Sequence, residues 1–263
     1  MNQKIRSLQK NRSLQKAQSL HGTQSQPLKS FRLCGVLICL STVLAGCSKT
    51  DSGNVKTSGF YASYSVSGNN QNSVNCSATF QVGGSTGTYL NLNAGDSVTC
   101  NGNSMSRSEL AGMISYSASV PFVSGGTYTI TLSRTSETPY QSSVVLPEPI
   151  TGYSPSAAFS IQKGAALTPT WNPSSSAFDS MRISLSYNGS GSSFSESHSE
   201  IDTSPEDGSV GFGSGDTSRS PASFGTWTGT LTYQRYRYGT VATGLDGIIS
   251  ASQSVSVGVS LTD

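Results

Sequence analysis

Serine hydroxyls and one imidazole are the first groups in this sequence that could carry out chemistry. Serines occur throughout the chain, but His198 is the only histidine after residue 21. A serine nucleophile needs a general base, and in many hydrolases it stands in a Gly-x-Ser-x-Gly sequence at a strand-to-helix elbow. No elbow of that kind is found, and His198 lies in a serine- and glycine-rich stretch. The sequence therefore predicts that the protein is not an enzyme, with a hydrolase as a distant alternative.

Acidic residues around His198 are the next candidates, as ligands of a cation. They are Glu196, Glu200, Asp202, Glu206 and Asp207. Carboxylates near a turn can hold Ca²⁺, but the spacing of an EF-hand loop is missing. The catalytic carboxylates of a glycosidase face each other across a cleft, whereas these lie in one loop region. We interpret the cluster as a solvated loop, with Asp202, Glu206 and Asp207 as weak calcium candidates and no other metal or cofactor expected.

A tyrosine pair near the carboxyl end of the chain is the predicted ligand-binding site. Tyr236 and Tyr238 alternate with Arg235 and Arg237, so the two rings share one face of a strand. Exposed tyrosines stack on sugar rings or serve as hot spots for a protein partner. All four residues are candidates, and cross-strand packing inside a sheet is the alternative interpretation. Trp171 and Trp227 are expected in the core.

The residues that must position these groups follow a short apolar run, Leu33–Cys47. The run is uncharged and lies behind Lys29 and Arg32. Its length is below the roughly 20 residues that a membrane-spanning helix needs, and small residues end it, which is typical of an export signal. Residues 1–31 are long and polar for such a signal, and we interpret them as an upstream-extended gene start, with a basic arm as the alternative.

Leu44-Ala45-Gly46-Cys47 at the end of this run resembles the lipobox of bacterial lipoproteins. The resemblance covers only the leader. It implies that the chain is cut before Cys47 and that this thiol carries a diacylglyceryl group, with a further acyl chain such as palmitate on the new amino end. Such an anchor holds a protein on a membrane permanently. Ser48 in the next position implies the outer membrane, by the same resemblance.

The remaining cysteines and charges narrow the class of protein further. Cys34 and Cys39 leave with residues 1–46, so Cys76 and Cys100 remain as one pair for a disulfide in an oxidising compartment. Closing that loop stabilises the fold by roughly 3 kcal/mol. Residues 47–263 hold nine basic and fourteen acidic residues, a net charge of −5. That balance argues against a nucleic-acid partner.

Alternation of apolar and polar residues predicts strands throughout the exported part. Its best examples are Val74–Val82, Met181–Tyr187 and Val255–Leu261. Arg107–Ile114 is the best helix candidate, with Ser104 or Ser106 as its cap. The spacing of strands and turns predicts an all-β fold of two immunoglobulin-like β-sandwich domains.

Three prolines within nine residues, Pro147, Pro149 and Pro155, indicate where the two domains meet. The predicted organisation is a signal over residues 1–46, a flexible tether over 47–58, one sandwich over 59–148 with the disulfide, and a second over 149–263. The loop of residues 188–199 is either irregular or a weak hairpin.

The second half resembles immunoglobulin-like modules of bacterial envelope proteins. The likeness rests on a strand ending in Trp171, the run Met181–Tyr187, the turn 206–209, and Thr230–Thr232 leading into Arg235. It covers about 100 residues and implies no catalytic residues. The expected function is a lipid-anchored envelope protein acting as a scaffold or binding module. Carbohydrate recognition by the tyrosine face is the alternative, and an envelope hydrolase is the distant one.

Overall fold

A computed structural model describes residues 49–69, 72–189, 195–203, 207–217 and 227–262. This part of the chain is almost entirely β-structure, so the predicted all-β fold class is confirmed. Its strands are β1 (Lys49–Asp51), β2 (Phe60–Gly68), β3 (Ser73–Val82), β4 (Thr88–Asn91), β5 (Ser97–Cys100), β6 (Asn103–Ser104), β7 (Ser106–Leu110), β8 (Met113–Pro121), β9 (Thr127–Ser133), β10 (Tyr140–Val145), β11 (Phe159–Gln162), β12 (Ser180–Gly189), β13 (Ser195–Thr203), β14 (Trp227–Tyr238) and β15 (Asp246–Thr262). Short helical turns are Ser52–Asn54, Thr57–Gly59 and α1 (Ser214–Thr217). None of the described helices is long and apolar enough to cross a membrane.

The strands form two sheets. The larger has the order β1-β4-β3-β2-β15-β14-β12-β13, with β8 also on β3, β7 on β8 and β11 on β15. The smaller has the order β10-β9-β5-β6. Apolar residues alternate with serine and threonine along most strands, so each sheet has one buried and one solvated face.

The first hydrophobic core lies between the two sheets. Phe60 and Phe80 from the larger sheet and Ile130 from the smaller one are fully buried in it. The predicted disulfide is present and joins Cys76 of β3 to Cys100 of β5. It therefore crosses the sandwich from one sheet to the other.

The second core lies under β12, β14 and the carboxyl half of β15. The predicted core residues Trp171 and Trp227 are both buried there. The opposite layer is built from short segments joined by isolated bridges, such as Leu167 with Phe212. β15 belongs to both halves, because Ile249 packs in the first core and Val259 in the second. The larger sheet therefore contains strands from both sides of the predicted domain boundary between residues 148 and 149. That boundary stays a prediction.

The predicted helix over Arg107–Ile114 is wrong, because these residues form the β7–β8 hairpin. Ala111 and Gly112 make its turn with φ angles of 50° and 81°, the left-handed values of a type I′ turn. β8 pairs with β3 from Ser73 to Ala78. Short-range helix propensity is weak, and this long-range pairing overrides it.

The predicted flexible tether is also wrong over residues 49–58. β1 pairs with β4, and the Arg134 guanidinium donates hydrogen bonds to the carbonyl oxygens of Ser52 at 2.7 Å and Val55 at 3.2 Å. The Ser52 hydroxyl donates to Asp96 Oδ2 at 2.6 Å. A segment held at these points is part of the fold from Lys49 onward.

Candidate binding surface

The solvated side of the larger sheet is covered by small polar side chains, and we call it the hydroxyl face. Strand alternation places them there because their neighbours in each strand enter the cores. Its central members are Ser117 and Ser119 of β8, Asn75 and Ser77 of β3, Ser65 and Ser67 of β2, Ser250, Ser252, Ser254 and Ser256 of β15, Thr230, Thr232 and Gln234 of β14, and Ser184 and Ser186 of β12.

Hydroxyl groups on this face pair with one another across neighbouring strands. The oxygen–oxygen distances are 3.0 Å for Ser184–Ser199, 3.1 Å for Ser186–Thr230 and 2.9 Å for Thr232–Ser256. A hydroxyl has one donor and two acceptor positions, so each pair keeps some of its capacity. The face therefore presents fixed hydroxyls that can still bond to a ligand.

A cavity of about 240 Å³ opens on the hydroxyl face where β2 leaves β15, and we call it the notch. The pairing of β2 with β15 ends at Gly68 and Gln253. The side chains that line the notch are Ser67, Asn69, Ser73, Asn75, Ser119 and Ser254. All of them are uncharged and carry a hydroxyl or an amide. The notch can therefore exchange hydrogen bonds with a neutral polar ligand in both directions.

Tyr236 stands in the same row of the sheet as the notch. The row crosses Asn75, Ser67, Ser252 and Tyr236, which puts Tyr236 about 10 Å from Ser67 because two strand spacings separate them. The Arg182 guanidinium carbon lies 5.4 Å from the centroid of the Tyr236 ring, and the Tyr236 hydroxyl donates to Gln234 Oε1. The ring is therefore held in place and remains partly exposed.

Tyr238 is on the same face, in the next row. Its side chain is 56% exposed, and its backbone amide donates to the Asp179 carboxylate. The row of Tyr238 contains Ser250 and Ser65, one step from the notch. Both tyrosines thus lie on the solvated face, as their alternation predicts.

The two arginines of the predicted ligand site lie on the opposite face, which is a correction. Arg235 is 1% exposed, and its guanidinium donates to the carbonyl oxygens of Pro149 at 3.1 Å and Asn172 at 2.6 Å. Arg237 donates to the Ala177 carbonyl oxygen at 3.1 Å. Alternation itself places 235 and 237 with the buried Tyr233. Arg235 therefore cannot take part in a site on the tyrosine face, whereas Arg237 borders a cavity of about 180 Å³ that Tyr238 also lines.

The acidic candidates are used locally where the structure describes them. Asp202 Oδ2 accepts a hydrogen bond from the backbone amide of Asp207 at 3.1 Å, and Asp207 Oδ1 accepts one from that of Ser209 at 2.9 Å. Glu206 lies outside the described residues. Within those residues no group of three or more His, Cys, Asp or Glu could hold a metal ion. These carboxylates cap a turn.

The interpretation of the acidic cluster as a loop is wrong for Glu196, Glu200 and Asp202, because these residues lie on β13. This strand forms the hairpin with β12, and its register puts Glu200 opposite Ile183 and Asp202 opposite Met181, both buried residues of β12. His198 stands opposite Leu185 in the same series; its side chain is outside what the structure describes. β13 ends the larger sheet, and charges at inward positions of an edge strand prevent another strand from pairing there.

Another cavity, of about 420 Å³, is lined by Glu137 and Tyr140. Glu137 Oε2 accepts hydrogen bonds from the Thr57 hydroxyl at 2.6 Å and the Tyr140 hydroxyl at 2.8 Å. These bonds, with the nearby charge of Arg134, hold the pKa of Glu137 below its ordinary value. This direction is opposite to the raised pKa that a carboxyl group acting as a general acid needs.

The notch could not be predicted from the sequence, because its walls come from strands far apart in the chain. Ser67, Ser119 and Ser254 belong to β2, β8 and β15. The available signal was serine at every second position of all three strands. Cys47, the predicted lipidation site, lies outside the described residues.

Comparisons with known proteins give little beyond these observations. No family model matches the chain, and no curated protein matches it. Among solved structures it is similar to the adhesin InvE of Yersinia pseudotuberculosis, with 12% identity over 78% of this chain and 59% of that one and a TM-score of 0.22. It is also similar to SGBP-B of the Bacteroides ovatus mixed-linkage glucan utilization locus, solved with a mixed-linkage heptasaccharide, with 13% identity over 76% and 60% and a TM-score of 0.18. The chain spans less than two thirds of either protein, and at these TM-scores the likeness carries no argument about function.

Proposed function

We propose that this protein is a non-catalytic, lipid-anchored binding protein of the bacterial envelope, and that its hydroxyl face binds a neutral polysaccharide at the notch. The observation that carries the proposal is the uncharged, hydroxyl- and amide-lined notch in the same row as the partly exposed ring of Tyr236.

The chemistry of the notch matches that of a neutral sugar. Sugar hydroxyls donate and accept hydrogen bonds, and the serine hydroxyls and asparagine amides of the notch do the same. Surface hydrogen bonds of this kind replace bonds to water, so their net contribution is small. The Tyr236 ring supplies the additional stacking energy, with Arg182 holding it from one side.

A protein partner is the competing occupant of the same face. Protein interfaces have a desolvated core rich in aromatic residues, methionine and arginine. The hydroxyl face carries Arg182 beside Tyr236, but its central members are small serines and threonines, and Arg235 and Arg237 lie on the opposite side of β14. The composition of the face thus favours a hydroxylated polymer over a protein.

The lipid anchor rests on the likeness of Leu44–Cys47 to a lipobox, and the outer membrane on Ser48 after it. Because β1 begins at Lys49, two residues after Cys47, an acylated Cys47 would attach the first strand closely to the bilayer. Incorporation of labelled fatty acid tests the anchor. A Cys47→Ala chain that stays membrane-bound to the same extent would refute it.

Binding is tested with the acylated protein in detergent micelles against a neutral β-glucan, a neutral mannan and an acidic polysaccharide, by calorimetry. Tyr236→Ala should weaken binding to the neutral polymer about tenfold, which corresponds to about 1.4 kcal/mol of lost stacking energy, while Tyr236→Phe should keep it. Tyr61→Ala is the matched control: Tyr61 is also a partly exposed tyrosine of the solvated face, about 20 Å along β2 from Ser67.

Equal losses for Tyr236→Ala and Tyr61→Ala would show that the notch is not the site. The absence of binding to any neutral polymer, together with capture of a defined envelope protein through the same face, would replace the polysaccharide by a protein partner. Hydrolysis of the polymer during the titration would contradict the non-catalytic assignment.

A further inference from the structure

The tip of the β7–β8 hairpin exposes two large apolar side chains. Leu110 is 73% exposed and Met113 is 45% exposed, and the two are paired across the turn of Ala111 and Gly112. A single exposed apolar residue needs no explanation. Two of them, one on each side of a two-residue turn, form a small apolar tip that no other part of the described structure covers.

The hairpin tip lies at the same end of the larger sheet as the first residue of β1. β8 and β4 are both antiparallel to β3, and β1 is parallel to β4. β1 and β8 therefore both begin at the end of the sheet where β3 finishes. A direct contact joins β1 to the hairpin, because Lys49 Nζ lies 2.9 Å from Oε1 of Glu109 in β7, next to Leu110 in the chain.

Chain length fixes how far the proposed lipid can be from this tip. Only Ser48 separates Cys47 from Lys49. Two residues span at most about 7 Å, so an acyl group on Cys47 begins within that distance of the Lys49 backbone. The bilayer that holds those acyl chains is thus brought to the end of the sheet that carries Leu110 and Met113.

We infer that the β7–β8 tip is a second membrane contact, with Leu110 and Met113 inserted into the bilayer surface beside the acylated Cys47. This inference rests on the proposed lipid anchor. Apolar side chains of interfacial segments reach about 5–10 Å into the boundary between headgroups and acyl chains. Behind the tip, Lys49 and Arg107 pair with Glu109, and all three are at the level of the polar headgroups.

Two points of attachment give the protein a fixed orientation. An acyl anchor alone lets the protein rotate about one residue, whereas the tip adds a second point on the same end of the sheet. The β8 strand leads away from this end, and Pro121 lies about 27 Å along it from Met113. Ser119, and the notch with it, are therefore held away from the bilayer.

The test uses the full chain, purified with its acyl group and reconstituted into phosphatidylethanolamine–phosphatidylglycerol vesicles. Leu110→Cys or Met113→Cys is labelled with an environment-sensitive fluorophore. Val123→Cys is the matched control, because Val123 is 57% exposed in the turn at the other end of β8. Labels at 110 and 113 should shift to the blue, lose intensity with brominated acyl chains and resist iodide, while the label at 123 should be quenched only by iodide.

Mass analysis of Cys47 in the same samples separates the two proposals. An acylated chain whose labels at 110 and 113 behave like that at 123 overturns the membrane contact and leaves the anchor intact. A chain without acylation whose 110 and 113 labels are quenched by brominated lipid overturns the anchor and supports the contact. A chain with neither property overturns both.

Discussion

Replacing Arg235 by alanine should destabilise the protein strongly, although arginine is ordinarily a surface residue. Arg235 lies on the buried face of β14. Its guanidinium donates hydrogen bonds to the carbonyl oxygens of Pro149 and Asn172, and a weaker one to that of Glu148 at 3.4 Å. These carbonyls belong to the connection between the two cores and to a loop over the second core. One guanidinium thus holds two segments against the sheet.

The size of the effect follows from the two short bonds. A hydrogen bond to a charged group contributes about 1.5–3 kcal/mol, and removing the arginine leaves both carbonyls without that donor. Returning the guanidinium to water in the unfolded chain already offsets part of this. We expect Arg235→Ala to lower the free energy of unfolding by about 3 kcal/mol. Arg235→Lys should lose about half as much, because an ammonium group cannot reproduce the planar fork.

Urea unfolding followed by tryptophan fluorescence measures this, since Trp171 and Trp227 both lie in the second core. Arg237→Ala is the matched control: it has one hydrogen bond and partial exposure on the same side of β14, and should cost about 0.5 kcal/mol or less. If Arg235→Ala and Arg237→Ala shift the urea midpoint equally, the buried hydrogen bonds of Arg235 do not stabilise the fold as argued.

Three further predictions concern the first half of the protein. Reducing the Cys76–Cys100 disulfide should lower the free energy of unfolding by about 3 kcal/mol in urea titrations with and without reductant, and an unchanged midpoint would contradict this. Ala111→Asn should raise it by about 0.5–1 kcal/mol, because asparagine accepts the left-handed φ of the hairpin turn; a lower midpoint would argue against the type I′ turn. Asp96 and Glu137 have lowered pKa values: burial raises that of Asp96 but is outweighed by hydrogen bonds and the Arg134 charge, and hydrogen bonds lower that of Glu137. The stability that these two carboxylates contribute should therefore be fully present above pH about 5. It should be lost as the pH falls below about 4 through their folded-state pKa values, and Asp96→Asn should reduce this pH dependence.

Local periodicity was enough to predict much of this fold. The alternation in Val74–Val82 and Met181–Tyr187 predicted the strands β3 and β12. It also put Cys76 on the buried face of β3, the side from which it bonds to Cys100. Period-two patterns are set by neighbouring residues, so they are visible without the rest of the chain.

Features that depend on distant partners could not be predicted in the same way. The 107–114 segment becomes a hairpin because β8 continues to Pro121 and pairs with β3, from Tyr116 with Ala78 to Pro121 with Ser73. Arg235 is predicted as a ligand-binding residue together with the tyrosines, although its position in the alternation puts it on the buried face of the strand. What allows it to be buried is a set of backbone carbonyls near residues 149 and 172, which only the folded chain brings together.

The parallel pairing of β2 with β15 has a mechanical consequence. Eight residue pairs join the strands, from Tyr61 with Asp246 to Gly68 with Gln253. If the chain is held at the amino end of β2 while a load pulls on the carboxyl end of β15, the two strands are drawn in opposite directions along their lengths. The hydrogen bonds between the two strands are then loaded together in shear, and they do not break one after another. Rupture under tension is governed by the rate of unfolding, so this geometry should slow detachment under flow far more than its equilibrium stability suggests.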